Sequence, residues 1–347
     1  AYLRLRRTPR RRGACRRGLV AVSAALLLGG LGRISAQQYL SPISLYYTLA
    51  LSVGMLATYR LCQTDAAQRA SAQRQFLRLL YAAGLFAAFL VFRYYGTHFA
   101  QFLRSGAALN FSFRNYCATM LLLALPVPFF EALRRPRRLL LAAPIYLALL
   151  MTGSRSGLLF GSALMALSFV YLLHWDRKNR RRYRRLLRAW AIPALAGVGM
   201  LALTLFASRY QTGSLLTQAD THRLQFLRQA VRDFLDAPLF GQGLGSQKNA
   251  EIFSGVPGSL VFYHNYIAQI FGSLGLLGAA AYALQLRDRI ALLLGSWSPQ
   301  TSALGLSALG MLLISMTNPG AFCPMPYEFL MVVLFSLLEP PTLPAVR

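Results

Sequence analysis

Long apolar runs separated by short polar or glycine-containing breaks dominate the chain from residue 18 onward. Ten of them have roughly the length of a membrane-crossing helix: about 18–34, 43–60, 79–95, 115–132, 139–153, 157–174, 189–208, 264–285, 302–317 and 325–340. Apolar stretches of about 17 to 25 residues suffice to cross a hydrocarbon core of about 30 Å. The pattern predicts an all-α, polytopic transmembrane bundle of about ten spans, one membrane domain over residues 1–347. The fifth run is short and the first contains several glycines. The brief apolar stretch 290–296, "IALLLGS", reads as an interfacial or re-entrant piece rather than an eleventh span.

One long segment breaks the pattern. Residues 209–263 form a polar insertion of 55 residues, too long for a mere connector. Within it "THRLQFLRQAVRDFLDAPLFGQGLG" has helical periodicity. On a wheel, Leu224, Leu227, Val231, Phe234 and Leu235 share one face with Phe226 and Ala230, while Gln225, Arg228, Gln229, Arg232 and Asp236 take the other. Asp220 or Thr221 caps the start. Arg223 falls near the centre of the apolar face, where an arginine needs an anionic partner. The following "GQGLG", Gly241 to Gly245, has the look of a phosphate cradle, but no strand precedes it and the longer nucleotide-binding pattern is missing. It reads as a turn that returns the chain to the membrane.

Charge fixes the expected orientation. Hydrophobic residues make up 56% and charged residues 14% of the chain, yet its net charge is +27. With the N-terminus inside, 27 of the 37 basic residues fall on the cytoplasmic side: the clusters at 1–17, 60–78, 134–138 and 177–188, with Arg287, Arg289 and Arg347. That agrees with the positive-inside rule, and most of the charge then lies beside the anionic leaflet, so no nucleic acid is called for. The opening "LRLRRTPRRRGACRR" reads as a loop between spans, which predicts an N-terminal truncation of a pair of helices. A signal peptide is the alternative, but no clear cleavage site follows. The four cysteines offer no obvious pair.

On this topology the candidate chemistry lies outside. "GSRSG" places Arg155 at an outer helix break, where the bland alternative is a snorkelling arginine. Arg223 lies in the loop, and His264 with Asn265 opens the next span in "FYHNY". There His264 is either a functional base or a member of an interfacial aromatic belt with Tyr263 and Tyr266. Arg114, at the start of a span, and His222, beside Arg223, are further substrate-binding candidates, and His222 is the rival base. The outer acids Asp220, Asp233, Asp236 and Glu251 lack metal-ligand spacing with the histidines, so neither metal nor cofactor is expected. Glu328 lies within the last span and must face the bundle toward a partner. With 35 arginines and two lysines, the choice of arginine at any one position carries no information.

Three features in order, "TGSRSG" at an outer break, "R…AVRDFLDAPLFGQGLG" in the large outer loop and "HN" followed by "GSLGLLG", resemble the O-antigen ligase and polymerase family of bacterial envelope glycan assembly. The resemblance covers roughly residues 110–285 by motif. It implies a multi-pass protein of the bacterial cytoplasmic membrane with its active site on the outer face, joining a glycan carried on undecaprenyl diphosphate to an acceptor glycan or lipid. By position, Arg155 and Arg223 correspond to the family's functional arginines and His264 to its catalytic histidine. The chain departs from the family in its count of spans and its shorter outer loop. The chemistry suits these residues independently, because arginine forks bind phosphate oxygens and an imidazole suits base work near neutrality. A transporter or flippase of lipid-linked glycans is the alternative, but it would show internal repeats, and none is visible. A lipid-II polymerase of the cell-division type would call for a key outer acid. Ligase and polymerase share these motifs.

The topology makes a direct prediction. A cysteine introduced at Ser246 reacts with an impermeant thiol reagent in intact cells, and one at Asn179 does not. The reverse pattern would overturn the orientation.

Overall fold

The computed structural model describes residues 13–35, 42–63, 66–98, 114–186, 218–244, 262–295, 298–317 and 326–340, with residues 188, 199 and 322. Among the described residues the chain is helical, with no strand. The helices are α1 (Ala14–Ser35), α2 (Pro42–Leu61), α3 (Ala66–Thr97), α4 (Arg114–Ala124), α5 (Val127–Ala132), α6 (Ala142–Met151), α7 (Arg155–Trp175), α8 (Gln218–Asp236), α9 (Tyr266–Gly295), α10 (Pro299–Ser315) and α11 (Pro326–Leu338). A 3₁₀ segment, Pro136–Leu141, leads into α6. By length and composition four segments suffice to cross a membrane: Gln68–Thr97, Asn115–Ala132, Arg155–Trp175 and Tyr266–Gly295. The expected runs 18–34, 43–60, 302–317 and 325–340 coincide with α1, α2, α10 and α11. The run 189–208, apart from residue 199, and the parts 209–217 and 245–261 of the expected loop lie outside the described residues.

The chain folds as two compact units. One comprises Ala70–Ala219 and Ser298–Ile314. Its helices are pinned by side-chain bonds to backbone carbonyls: Ser307 Oγ donates to Leu123 O at 2.7 Å, Tyr171 OH to Pro299 O at 3.0 Å and Tyr95 OH to Met151 O at 2.5 Å. Hydroxyls used in this way hold apolar helices together without burying an unsatisfied donor.

The other unit comprises Ala1–Arg69, Asp220–Trp297 and Ser315–Arg347. Here α1 packs along α9 and α2, and α2 packs against α11. The end of α11 gathers three elements: Glu339 accepts from Cys15 N at 2.7 Å and from Tyr59 OH at 2.8 Å, and Arg69 donates to Ser336 O. The partner that Glu328 requires is Arg289 of α9, 2.9 Å away, with both side chains buried. The Arg289 guanidinium also stands 5.0 Å from the Phe335 ring centre. Arg289 therefore belongs to the bundle interior, not to the cytoplasmic charge where the positive-inside reading counted it. Removing either partner would strand a buried charge, at a cost of about 3–5 kcal/mol.

Helix α9 is bent back on itself. Gly275 has φ 61° and ψ −155°, outside the helical region, and divides α9 into two arms. In a straight helix Tyr266 and Tyr282 would stand about 24 Å apart, yet their rings are 5.6 Å apart and both touch Phe322. Residues 290–295, expected with Ser296 as an interfacial or re-entrant piece, continue the second arm as far as Gly295. Periodicity does not reveal such a break, because one glycine with reversed φ leaves the apolar pattern on both sides intact.

The "GQGLG" turn fills the break. Where a helix is interrupted, the last carbonyls of the first arm and the first amides of the second lose their partners. Gln242 N donates to Gly272 O at 2.9 Å and Gly243 N to Ser273 O at 2.8 Å. In return, Leu276 N donates to Pro238 O at 2.8 Å and Leu277 N to Leu239 O at 3.1 Å. The two backbones meet so closely that a Cβ on Gly241 would come within 2.3 Å of Ser273 C, and one on Gly275 within 2.6 Å of Pro238 O. Gly241 also needs its φ of +70°. The glycines of "GSLGLLG" admit this turn at Gly275 and the Tyr263 ring at Gly272.

Gly275→Ala and Gly241→Ala are each expected to destabilise the protein by about 2 kcal/mol or more, from backbone strain alone, before the collisions are counted. Gly96→Ala, with nothing within 4 Å of its Cβ, should be neutral or slightly stabilising. Thermal unfolding in detergent micelles checks both expectations.

Candidate active site

Helix α8 has three stripes where the wheel predicted two. Leu224, Leu227, Val231 and Leu235 point outward and are exposed, as are Arg228 and Arg232 on the polar stripe. The packed stripe lies between these: half-buried Phe226, buried Ala230 and Asp233, with half-buried Arg223 at its edge. Asp233 is only 1% exposed. Hydrophobicity alone points to the leucine stripe as the packed one, but where the surroundings are themselves apolar the stripe with hydrogen-bonding partners is packed instead.

Those partners come from the start of α9 and the turn. Tyr263 OH donates to Asp233 Oδ2 at 2.5 Å and Gln229 Nε2 to Asp233 Oδ1 at 2.9 Å. Gln242 Nε2 donates to Asp233 O at 3.3 Å. Tyr263 N donates in turn to Gln269 Oε1 at 3.0 Å, and Gln269 Nε2 to Ser273 Oγ at 2.7 Å. The chain just before His264 is thereby fixed to α8. Asn265 closes the frame: its Oδ1 accepts from Ala268 N at 2.9 Å, capping α9, and its Nδ2 donates to Met316 O at 2.7 Å. Sequence reasoning weighed Asp233 only as a metal ligand and Tyr263 only as a belt residue. The available signal was that Asp233 lies on one stripe with Phe226 and Ala230.

His264 has φ +52°, the only non-glycine residue with positive φ among the described residues. That conformation costs about 1–3 kcal/mol and persists where the surroundings over-determine it. Its half-buried ring stands 5.0 Å from that of Phe226, inclined at 53°. Burial, and then the positive charge of Arg223, lower its pKa to about 4. The structure thus brings Arg223 and His264 of the expected site together. Arg155 belongs to the other unit. The side chains of Arg114 and His222 lie outside the described residues.

Around Arg155 the local build is clear. Gly153, at φ +65°, ends the helical path of α6. Ser154 then caps α7, its Oγ accepting from Gly157 N at 3.2 Å and donating to Asn115 Oδ1 at 3.0 Å. Arg155 is therefore the first residue of α7, exposed, beside the start of α4. A cation at a helix N-terminus adds to the positive end of the helix dipole. That is unfavourable by a few tenths of a kcal/mol to about 1 kcal/mol, and favourable only toward an anion.

The described residues thus combine four apolar segments of membrane-crossing length with a histidine beside an arginine at the start of α9. Residues 139–283 match the family model described as O-antigen ligase (Wzy_C), in agreement with the family that the three motifs resemble. The match takes in Arg155, Arg223 and His264, together with the hairpin at Gly275. The match spans less than half of the chain and indicates, in general terms, an enzyme of the ligase and glycosyltransferase type in a membrane setting. No curated protein matches the chain.

Since the folded-state pKa of His264 lies below the value of about 6.5 in an unfolded chain, its neutral form contributes stability in full above that value. The contribution is lost as the pH falls toward 4. The imidazole resonance of His264 should titrate near 4 in the ligand-free protein. Arg223→Gln should raise the midpoint only part of the way to 6.5, because burial is the larger cause. An ordinary midpoint in the unsubstituted protein would mean that the ring is solvated.

Proposed function

We propose that this protein transfers a glycan from undecaprenyl diphosphate to a hydroxyl of an acceptor glycan or lipid on the outer face of the bacterial cytoplasmic membrane. His264 is the general base. It takes the acceptor's hydroxyl proton as the acceptor oxygen bonds to the anomeric carbon. The bond from that carbon to the phosphate oxygen breaks, and undecaprenyl diphosphate leaves with the electron pair. Arg223 holds the diphosphate through charge-assisted bonds. Arg155 enters as a second phosphate-binding arginine on the order of the motifs, and Arg114 and His222 as substrate-binding residues by sequence position. Asn265 keeps the mouth of α9 in place for His264.

The single observation that carries this reading is the strained His264 beside Arg223 at the start of α9. A belt residue needs neither a left-handed backbone nor a neighbouring cation. The transporter reading draws on the interrupted helix, since transporters commonly place substrate at such a break. Here, however, the polar ends exposed at Gly275 are taken by the turn 238–243, which argues for transfer chemistry at His264 over passage through the break.

Reconstituted with a polyprenyl-diphosphate glycan and its acceptor, His264→Gln should lose about 10²- to 10⁴-fold in turnover while still binding the donor. Arg223→Ala should lose about ten- to a hundredfold, and Arg228→Ala should be mild. Near-normal transfer by His264→Gln would remove the histidine from the mechanism.

A further inference from the structure

The outward stripe of α8 is as apolar as a membrane-spanning surface. Leu224, Leu227, Val231 and Leu235 are 46%, 39%, 58% and 68% exposed, and Leu239 and Phe240 extend the stripe into the turn. A contiguous apolar surface of this kind is unusual against water. It is also continuous with α9. Phe234 meets Phe271 edge to face at 5.5 Å, and beyond that contact Ile267 and Phe271 on the first arm and Leu276 and Leu277 at the head of the second are exposed. The second arm, from Leu276 to Gly295, is by itself about 30 Å long at about 1.5 Å per residue, the thickness of a hydrocarbon core. On the other side of the leucine stripe lie Arg228 and Arg232, both directed outward. An apolar stripe bordered by arginines is the pattern of a helix lying in the interface plane, leucines in the acyl chains and guanidinium groups among the phosphates.

We infer that α8 is embedded in one leaflet of the bilayer, its Leu224–Leu227–Val231–Leu235 stripe covered by lipid acyl chains, so that the helix forms part of the membrane-facing wall. The occupant is lipid, since the arginine border complements anionic headgroups and the apolar surface runs on into a spanning helix. The third stripe, carrying Arg223 and Phe226 toward His264, then lies at the level of the leaflet. If the assignment of His264 as base is right, a lipid-anchored diphosphate reaches Arg223 sideways, without leaving the bilayer. The location of α8 stands independently of that assignment.

The test reads depth rather than activity. Single cysteines at Val231 and Leu235, and at Arg228 and Arg232, carry nitroxide labels in the full chain reconstituted into phosphatidylethanolamine–phosphatidylglycerol vesicles. Labels at 231 and 235 should be relaxed by oxygen and shielded severalfold from a water-soluble nickel chelate relative to labels at 228 and 232. Equal nickel access at all four positions would place the stripe in water and overturn the proposal. Strong dipolar broadening between labels at 231 on separate chains would cover the stripe with a second copy, and would overturn it too. Normal glycan transfer by a labelled chain whose stripe is wet would leave the base assignment intact, so the two readings fail separately.

Discussion

Four backbone hydrogen bonds across the Gly275 break hold the rest of the first-described site together. An interrupted helix in a low-dielectric setting leaves carbonyls and amides without water to satisfy them, at several kcal/mol apiece. The turn 238–243 supplies amides to Gly272 and Ser273 and carbonyls to Leu276 and Leu277, so the hairpin and the turn each complete the other. Side chains have no room in this exchange. The glycines at 241 and 275 are therefore required by contact distance as well as by backbone angle.

The position of His264 follows from that contact. With the far end of α8 joined to the hairpin apex through residues 237–243, the helix runs beside the first arm, Phe234 against Phe271 and Phe226 against His264. The Asp233–Tyr263 bond fixes the middle of this pairing. Asn265, bonded to Met316 O, fixes the lower end. Between two such anchors a single residue has little choice of backbone angle, and the left-handed turn at His264 is what remains. Local strain is thus maintained by tertiary bonds on either side, as expected where a side chain must be aimed.

Much of this was legible in the sequence, and the rest was hidden for physical reasons. Apolar run length and the arginine clusters indicated a helical membrane protein, and the order of "GSRSG", the loop helix and "HN" pointed to the family whose model matches residues 139–283. That Glu328 must be paired followed from the cost of burying a lone charge; that the partner is Arg289 did not, because the two are remote in sequence. The wheel of α8 separated polar from apolar but left open whether the apolar face is packed or membrane-facing. Lipid and protein interior look alike to a hydrophobicity scale, so only the Asp233 network distinguishes them. The hairpin was invisible because "GSLGLLG" suits close helix packing and a broken helix equally well.

A histidine with a pKa near 4 is neutral at physiological pH but a feeble base, and the causes of its shift decide whether that weakness lasts. Burial comes first and Arg223 second. A diphosphate at Arg223 would cancel the second cause and bring its own negative charge. A nearby negative charge favours the charged imidazolium and so raises its pKa. Further exclusion of water by the donor works in the opposite direction. Where the charge prevails, base strength at His264 rises toward the ordinary imidazole range only with the donor in place, and the arginine that weakens the base in the empty site is the group that brings the strengthening charge to it.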